Sequence, residues 1–385
     1  VIRISVRNLV EFILRSGDLT SRSGTAADKE AMLKGSRFHR KIQKQMGSTY
    51  QAEVPLKKES EYEDLILCVE GRADGIFAEN ETVCIDEIKG IYKSLDSLEE
   101  PVQIHRAQAL CYGWIYMEAH DLERIDIQMT YGQLDTEEIR RFRETIASEK
   151  LEKWYQDLTD EYYKWVSYQL AWRKERNASM ETLEFPFPYR KGQREMVAGV
   201  YHAISEEAQI FIQAPTGIGK TMSAIFPAVR AVGQGKGETV FYLTARTITR
   251  TVAEDAFSIL RGKGLHFKSI TITAKEKMCF CDEMDCDPQK CPYAKGHYDR
   301  INDAVYELWT KEEAFDRETI LAQAEKYSVC PFEITLDLAV WMDGIVCDYN
   351  YVFDPNVYLK RFFGENIKGK YLFLIDEAHN LVDRG

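Results

Sequence analysis

The pattern of apolar and polar residues divides the chain into two mixed regions separated by a long amphipathic stretch. In residues 1–135, short runs with helical spacing alternate with runs typical of strands. From about 136 to 177, aromatic and apolar side chains recur every three or four residues, which predicts a long helix or helical pair. A proline-punctuated break follows at 184–188. We therefore expect an α/β domain at 1–135, a helical connector at 136–184 and a second α/β domain at 185–385.

The second α/β domain is organised around residues 208–224, AQIFIQAPTGIGKTMSA. The apolar run 210–212 predicts a short buried strand, and a glycine-rich turn and a helix follow it. In this arrangement backbone N–H groups at a helix N-terminus surround phosphates. Lys220 would reach the outer phosphates of ATP, and the Thr221 hydroxyl would hold Mg²⁺. The residues expected at this phosphate site are Thr216, Gly217, Gly219, Lys220 and Thr221.

A second buried-strand run, 371–375, ends in the sequence DEAH at 376–379. Asp376 is suited to help hold Mg²⁺, and Glu377 to activate the attacking water. Gln193, upstream of the glycine-rich turn, offers a donor and an acceptor that suit an adenine edge.

Five of the nine cysteines lie in one segment between these two motifs. Such clustering favours metal binding over disulfides in a chain whose charged first residues do not resemble a signal peptide. Four thiolates can hold either zinc or an iron–sulfur cluster, and the spacing does not separate the two. The clustered cysteines are Cys279, Cys281, Cys286, Cys291 and Cys330. The cysteines expected in the apolar core are Cys68, Cys84, Cys111 and Cys347.

Carboxylates in the first domain form a candidate cation site. Asp74 lies in GRADGIF, and Glu87 and Lys89 lie in IDEIKG. Glu87 and Lys89 are two apart on a predicted strand and point to the same face. Carboxylates that hold a divalent ion beside a lysine that orients water can hydrolyse a phosphodiester. His39, on a predicted basic helix at 35–46, could add an imidazole ligand.

The motif Asp74…Glu87-x-Lys89 resembles the core of PD-(D/E)XK nucleases, and together with the His39 helix it is similar to the RecB-like exonuclease branch. The resemblance implies an α/β nuclease domain in which these carboxylates and the imidazole hold Mg²⁺ or Mn²⁺ and Lys89 is catalytic. The residues that it implies for positioning DNA are Gln108 and Tyr112.

The order of glycine-rich turn, cysteine segment, IVCDYNYVFDP and DEAHNL resembles the XPD/DinG-like iron–sulfur helicases of superfamily 2. This resemblance implies a RecA-like P-loop motor domain with an iron–sulfur insertion at about 275–335. Thr244 and Arg246, after a predicted strand at 238–243, suit contacts to DNA phosphates. The ligands implied for a 4Fe-4S cluster are Cys279, Cys286, Cys291 and Cys330, with Cys281 as the spare or the alternative first ligand.

The combined expectation is a cytoplasmic DNA-repair enzyme that translocates on single-stranded DNA, unwinds it with ATP and cleaves it with a metal. The net charge of −12 excludes a wholly basic coat but allows a local basic channel, which we expect around Lys295 and Arg300. We expect the full-length protein to contain a second motor domain, without which this piece would turn over ATP poorly. The alternatives are a DNA-binding or targeting module with an inactive nuclease centre, and a nuclease switched by ATP without unwinding.

Overall fold

The computed structural model describes residues 1–385 except 21–25, 216, 246, 365–366 and 385. Side chains are also left undescribed at 26–32, 247–248 and 383–384. The chain forms two compact units: unit 1 comprises residues 1–16 and 21–167, and unit 2 comprises 17–20 and 168–385. The expected boundaries at 135 and 184 therefore differ from the observed division, which falls inside one long helix.

Unit 1 is a mixed sheet with helices packed against it. Its elements are β1 (Ile2–Ser5), α1 (Val6–Ile13), α2 (Ala26–Gln45), β2 (Gln51–Glu61), β3 (Ile66–Glu79), β4 (Thr82–Ile91), α3 (Gln103–Ala119), β5 (Arg124–Gln133), β6 (Ile139–Ala147) and the first part of α4 (Ser148–Glu181). The long strand β3 pairs with β2 on one side and with β1 and β4 on the other. β4 continues through α3 into the parallel strand β5, and β6 pairs with β5 as an antiparallel strand. This crossover places α3 over β4 and β5.

The helix expected to begin at residue 135 is wrong, because 139–147 form β6. The polar residues before it close a turn: the Gln133 side chain accepts hydrogen bonds from the N–H groups of Asp135 and Thr136, both at 2.6 Å. The polar residues that resemble a helix cap therefore close the turn between β5 and β6, and α4 begins at Ser148. The aromatic and apolar stripe on α4 packs into the unit 1 core through Leu151, Tyr155 and Leu158, as a packing role predicts.

Unit 2 contains a parallel sheet with the strand order β11-β7-β10-β8-β9. Its further elements are α5 (Gln193–Ser205), α6 (Lys220–Gly233), β7 (Thr239–Leu243), α7 (Thr247–Arg261), β8 (Ser269–Thr271), α8 (Lys275–Met278), α9 (His297–Lys311), β9 (Ala314–Phe315), α10 (Arg317–Tyr327), α11 (Pro331–Ala339), β10 (Gly344–Cys347), α12 (Asn350–Phe353), α13 (Lys360–Phe363) and β11 (Tyr371–Ile375). Short 3-10 segments lie at Leu95–Ser97 and Ala378–Arg384. The strands predicted before Thr244 and before the DEAH sequence are confirmed as β7 and β11.

The buried strand expected at 210–212 is wrong in this structure. Ile210, Phe211 and Ile212 are 47%, 88% and 38% exposed and form no strand. Among the described strands, β11 pairs with β7 alone, and its Phe373 is 42% exposed. A strand needs a neighbour for its backbone N–H and C=O groups. No described strand pairs with the 210–212 run, so its apolar pattern is not realised as a strand.

Within the described part of the chain, no helix has both the length and the apolar character needed to cross a lipid bilayer.

Candidate functional site

The carboxylate Asp74 lies on β3, and three groups fix its position. The Ile88 N–H on β4 donates to Asp74 Oδ2 at 2.8 Å, which ties the side chain to the neighbouring strand. From α2, His39 Nδ1 lies 3.5 Å from Asp74 Oδ1, and Gln43 Nε2 donates to the Asp74 carbonyl at 2.9 Å. The helix that carries His39 therefore lies beside Asp74, the role of His39 as a metal ligand stays a prediction, and Gln43 is a further support that the sequence did not identify.

Lys89 is held between β4 and α3. Its Nζ lies 2.7 Å from Glu87 Oε1 and donates to Gln108 Oε1 at 2.8 Å. Glu87 and Lys89 share one face of β4, as their spacing predicts. Gln108 therefore contacts the lysine directly, and its predicted role in positioning DNA stays a prediction. Its side chain is buried beneath the site.

Glu87 is a buried carboxylate with an unsatisfied oxygen. The residue is 4% exposed, and its Oε2 has no hydrogen-bond partner among the described residues. Burial raises the pKa of Glu87 to about 7, with a further rise from the Asp74 charge, against the opposing effects of Lys89 and His39. A buried, unpartnered carboxylate oxygen is a group that a bound cation would satisfy.

The acidic residues of this site do not form a complete set of metal ligands in this structure. Among the described residues, no three His, Cys, Asp or Glu side chains converge closely enough to hold a metal ion. Binding through Asp74, Glu87 and His39 would therefore require these side chains to approach one another.

Tyr112 lies beneath the same site, one helical turn after Gln108. It is 7% exposed, and a Cβ added at Gly71 would lie 2.7 Å from its hydroxyl oxygen. Burial raises the pKa of Tyr112. The first glycine of GRADGIF, Gly71, is therefore explained by close packing against this ring, whereas a contact between Tyr112 and DNA stays a prediction.

The glycine-rich turn in unit 2 has the backbone that its sequence predicts. Gly217 and Gly219 have φ of +83° and +84°, in the left-handed region that glycine tolerates, and Gly219 is the N-cap of α6. Lys220 begins α6, and its Nζ donates to the Ala214 carbonyl at 3.2 Å. The lysine therefore folds back over the turn. Thr216, expected at the same site, lies outside the described residues.

Both ends of the Gln193 side-chain amide form hydrogen bonds with the backbone at and beside this turn. Its Nε2 donates to the Ile218 carbonyl at 2.9 Å, and its Oε1 accepts from the Arg190 N–H at 3.0 Å. A contact with adenine therefore requires the amide to exchange these hydrogen bonds, and the adenine role stays a prediction.

Tyr242 joins the two halves of the predicted nucleotide site. From β7 its hydroxyl donates to Thr221 Oγ1 at 3.4 Å, and it also interacts with Asp376 at the end of β11. Burial raises the pKa of Asp376, as does the charge of Glu377, whereas Lys220 and Tyr242 oppose the rise. Lys220 is thus close enough to affect the Asp376 charge, and Tyr242 contacts both Thr221 and Asp376. Tyr242 was not identified from the sequence, because a tyrosine in a buried strand is ordinarily a core residue.

The two residues expected to contact DNA after β7 are only partly described. Thr244 is 2% exposed, and its hydroxyl hydrogen-bonds the Thr249 hydroxyl. Arg246 lies outside the described residues. The predicted phosphate contact of Thr244 therefore stays a prediction, and in this structure the hydroxyl stabilises the start of α7.

The five clustered cysteines line one cavity together with Leu19 and Lys275. Two of the thiols are in contact, with Cys281 Sγ 3.9 Å from Cys291 Sγ. Burial raises the pKa of Cys281 to about 11, and the hydrogen bond to Cys291 adds to the rise. Burial lowers the pKa of Lys275, but the hydrogen bond to Cys286 and the charges of Cys286 and Cys330 outweigh this effect, so the pKa is raised overall. The predicted ligands therefore line one cavity, but no three of the described thiols converge closely enough to hold a metal ion, and the structure does not distinguish Cys279 from Cys281 as first ligand.

The four other cysteines lie where the sequence predicts. They are fully buried: Cys68, Cys84, Cys111 and Cys347.

The basic face expected around Lys295 and Arg300 stays a prediction, and Arg300 has a structural role beside it. The Arg300 guanidinium donates to the carbonyls of Tyr327, Lys295 and Ser328, each at 2.8 Å. These three hydrogen bonds to backbone carbonyls stabilise the connection between α10 and α11. His297 is also fully buried, and its Nδ1 accepts from the Cys330 N–H at 3.2 Å.

Comparison with protein families fits this arrangement. The model for DEAD/DEAH box helicases matches residues 190–312, and the model DEAD_2 matches residues 266–385. Over these two overlapping ranges the chain is similar to helicases of the DEAD/DEAH type. The glycine-rich turn, the cysteine cavity and the DEAH sequence all lie within these matched ranges.

Individual relatives match the same kind of protein over part of their length. The Regulator of telomere elongation helicase 1 homolog of Caenorhabditis briggsae is 22% identical over 245 residues, which are 53% of this chain and 24% of that protein. The Fanconi anemia group J protein homolog of Gallus gallus is 35% identical over 71 residues, 18% of this chain and 5% of that protein. The chain therefore spans less than a quarter of the length of these curated relatives.

Solved structures superpose loosely. XPD_Helicase has a TM-score of 0.33 at 19% identity and covers 50% of this chain and 33% of that chain. SSO0001 has a TM-score of 0.26 at 16% identity and covers 41% of this chain and 75% of that chain. Superpositions this loose carry no argument about this chain.

Proposed function

We propose that the chain is the nuclease and first motor region of an ATP-dependent DNA helicase of the XPD/DinG-like type, with a role in DNA repair. In this proposal unit 2 binds ATP and couples its hydrolysis to movement on single-stranded DNA, while unit 1 cleaves DNA. The observation that carries the motor proposal is the helicase family match over a region in which Tyr242 contacts both Thr221 and Asp376.

The nucleotide site has groups suited to each part of ATP. The left-handed turn at Gly217 and Gly219 would turn backbone N–H groups toward phosphates at the start of α6. Lys220 would exchange its contact with the Ala214 carbonyl for the outer phosphates. Tyr242 would orient Thr221 and Asp376, the pair suited to Mg²⁺, whose chemistry is to neutralise phosphate charge.

Glu377 is suited to act as the group that orients water. It is exposed and follows Asp376 directly, at a φ of +51°. Its carboxylate lies 3.6 Å from His379 Nδ1. Changing Glu377 to Gln should retain ATP binding and remove hydrolysis, because an amide is a poor acceptor for the proton of water.

The nuclease proposal rests on the unsatisfied Glu87 oxygen beside a positioned lysine. Asp74, Glu87 and His39 provide the oxygen and nitrogen donors that a divalent ion accepts, and such an ion supplies polarisation of the phosphodiester. Gln108 holds the Lys89 ammonium at the site, where it can orient the attacking water. The buried carboxylate must be ionised to bind the ion.

The cysteine cavity fits an iron–sulfur cluster in its donor chemistry. The thiols line one partly buried cavity, and the Lys275 ammonium beside Cys286 and Cys330 would balance the negative charge of thiolates. A 4Fe-4S cluster supplies a rigid cross-link among four cysteines. We assign Cys279, Cys286, Cys291 and Cys330 to it, with zinc as the competing occupant.

The nuclease is tested by comparing DNA degradation with Mg²⁺ or Mn²⁺ before and after Lys89→Ala. Loss of cleavage is expected, whereas Lys93→Ala, an exposed lysine four residues later, should cleave as the parent chain does. Equal cleavage by the Lys89 variant, or none by the parent chain, would favour an inactive DNA-binding module.

The motor and cluster proposals need separate measurements. Lys220→Ala should abolish binding of a fluorescent ATP analogue, and the exposed Lys263→Ala should not. Iron and sulfide analysis of anaerobically purified protein should give a 4Fe-4S stoichiometry that Cys286→Ser loses and Cys84→Ala retains. Zinc without iron would reject the cluster, and comparison of Cys279→Ser with Cys281→Ser identifies the first ligand.

A further inference from the structure

Residues Gly17–Thr20 come from the first twenty residues of the chain yet belong to unit 2. Leu19 is 7% exposed and packs with Cys291 and Ala294. It also lines the cavity that contains all five clustered cysteines. A side chain more than 250 positions away in sequence therefore forms part of the wall of this cavity.

Four hydrogen bonds attach this short segment. The Leu19 N–H donates to the Ala294 carbonyl at 2.8 Å, and the Tyr298 N–H donates to the Gly17 carbonyl at 2.9 Å. The Gly17 N–H donates to Asp299 Oδ1 at 2.8 Å, and the Gly296 N–H donates to Asp18 Oδ1 at 2.7 Å. Backbone and side chains both contribute, so Leu19 is held against the cavity rather than resting on it.

The same contacts reach one of the proposed cluster ligands. Asp18 binds the N–H of Gly296, which is the N-cap of α9. The next residue, His297, accepts the N–H of Cys330 through Nδ1 at 3.2 Å. Asp18 therefore fixes the start of the helix that positions the Cys330 backbone.

Gly17 has the backbone conformation on which the attachment depends. Its φ is +87°, in the left-handed region that disfavours other residues. A Cβ added there would have no atom within 4 Å. Replacing Gly17 with alanine would therefore strain the backbone without a steric clash, which makes it a clean perturbation of the segment.

We propose that Gly17–Thr20 is a clip that closes the cysteine cavity, in which Leu19 keeps water and small solutes from an iron–sulfur cluster. The inference rests on the proposed cluster and adds a shielding residue that the cysteine motif does not contain. Its physical basis is that an apolar side chain beside a metal centre limits solvent access to it. Iron loss should then occur mainly when the clip opens.

The test measures how fast excess ferrous chelator removes iron from the full chain under argon. When the clip recloses faster than the chelator reacts, the rate follows the open population. Gly17→Ala should accelerate iron loss by roughly 5- to 30-fold, and Leu19→Ala by about tenfold or more. Hydrogen exchange of the Leu19 amide should increase with the same variants.

Two matched controls separate shielding from general destabilisation. Gly264 has a φ of +93° and equally open surroundings, so Gly264→Ala introduces the same strain elsewhere in unit 2. Leu260→Ala removes a fully buried leucine from the separate core around α7. Both controls should lose iron at the parental rate.

Each outcome decides between the proposals. Parental iron loss in Gly17→Ala and Leu19→Ala would overturn the clip while leaving the cluster intact. Equal acceleration by the controls would also overturn it, because the effect would then be general instability. Absence of iron and sulfide from the parent chain would reject the cluster and, with it, the shielding role.

Discussion

Replacing Glu87 with Gln should stabilise unit 1 in metal-free buffer while removing its response to divalent ions. Glu87 is nearly fully buried, and its Oε2 has no hydrogen-bond partner among the described residues. The substitution keeps the shape of the side chain and removes the buried charge. A glutamine can still accept a hydrogen bond from Lys89, which lies 2.7 Å from Oε1.

The expected gain follows from the shifted acidity. The pKa of Glu87 is about 7 against 4.5 for an ordinary glutamate, because burial and the Asp74 charge disfavour the ionised form. This difference corresponds to a destabilisation of about 3 kcal/mol when the group is fully ionised. Weakening the Lys89 hydrogen bond costs about 1–2 kcal/mol. The net gain in unfolding free energy should therefore be about 1–2 kcal/mol at pH 8.

The sign of the pH dependence distinguishes this explanation from improved packing. A carboxyl whose pKa is raised by folding contributes stability below its unfolded pKa, and that contribution is lost as the pH rises through the folded pKa. The difference between variant and parent should therefore grow from pH 4.5 to pH 7. Below pH 4.5 the carboxyl is protonated in both states, and the advantage of glutamine should disappear.

Urea unfolding, with hydrogen exchange in β4 peptides to report on unit 1, measures this gain. Mg²⁺ or Mn²⁺ should stabilise the parent chain and not the variant, because a ligand stabilises only the state that binds it. Asp126→Asn is the matched control, since Asp126 is buried but paired with Arg143 at 2.8 Å, and its loss should destabilise. A destabilised Glu87→Gln protein, or a pH-independent gain, would refute the reasoning.

Three further variants test other parts of the structure. Gln108→Leu should reduce the rate of DNA cleavage at least ~10-fold with little change in the fold, because Lys89 loses the hydrogen-bond acceptor that positions it. An unchanged rate in a cleavage assay would contradict this. Burial lowers the pKa of Lys268 to about 8, so the folded chain binds this proton less tightly than the unfolded chain. The unfolding free energy of the parent chain should therefore rise by up to about 3 kcal/mol between pH 8 and 10.5, and Lys268→Met should remove this rise. The same pH dependence of the unfolding free energy in parent and variant would argue against it. The Arg230 guanidinium donates to the Met180 carbonyl at 2.7 Å and to the Glu181 carbonyl at 2.6 Å. Arg230→Met should therefore destabilise unit 2 by ~1–3 kcal/mol in denaturant unfolding. An unchanged unfolding midpoint would count against this stabilising role of Arg230.

Local patterns predicted most elements but not their boundaries or every strand. The helix that carries His39, the strand before Thr244 and the strand before DEAH appear as expected. The residues after 135 resemble a helix cap because the same polar side chains also close turns. The run 210–212 is apolar enough for a strand, but a strand forms only where another strand supplies hydrogen bonds. Neither outcome can be decided from neighbours in sequence.

The sequence by itself determined which chemical groups this protein has and in what order. The glycine-rich turn, the DEAH sequence, the clustered cysteines and the Asp74…Glu87-x-Lys89 pattern are short-range features, because their chemistry depends on residues close together in the chain. Only the tertiary structure showed that Gln108 contacts Lys89, that Tyr242 contacts Thr221, and that Leu19 lines the cysteine cavity. These contacts join distant segments. They depend on how strands and helices pack, which no local pattern specifies.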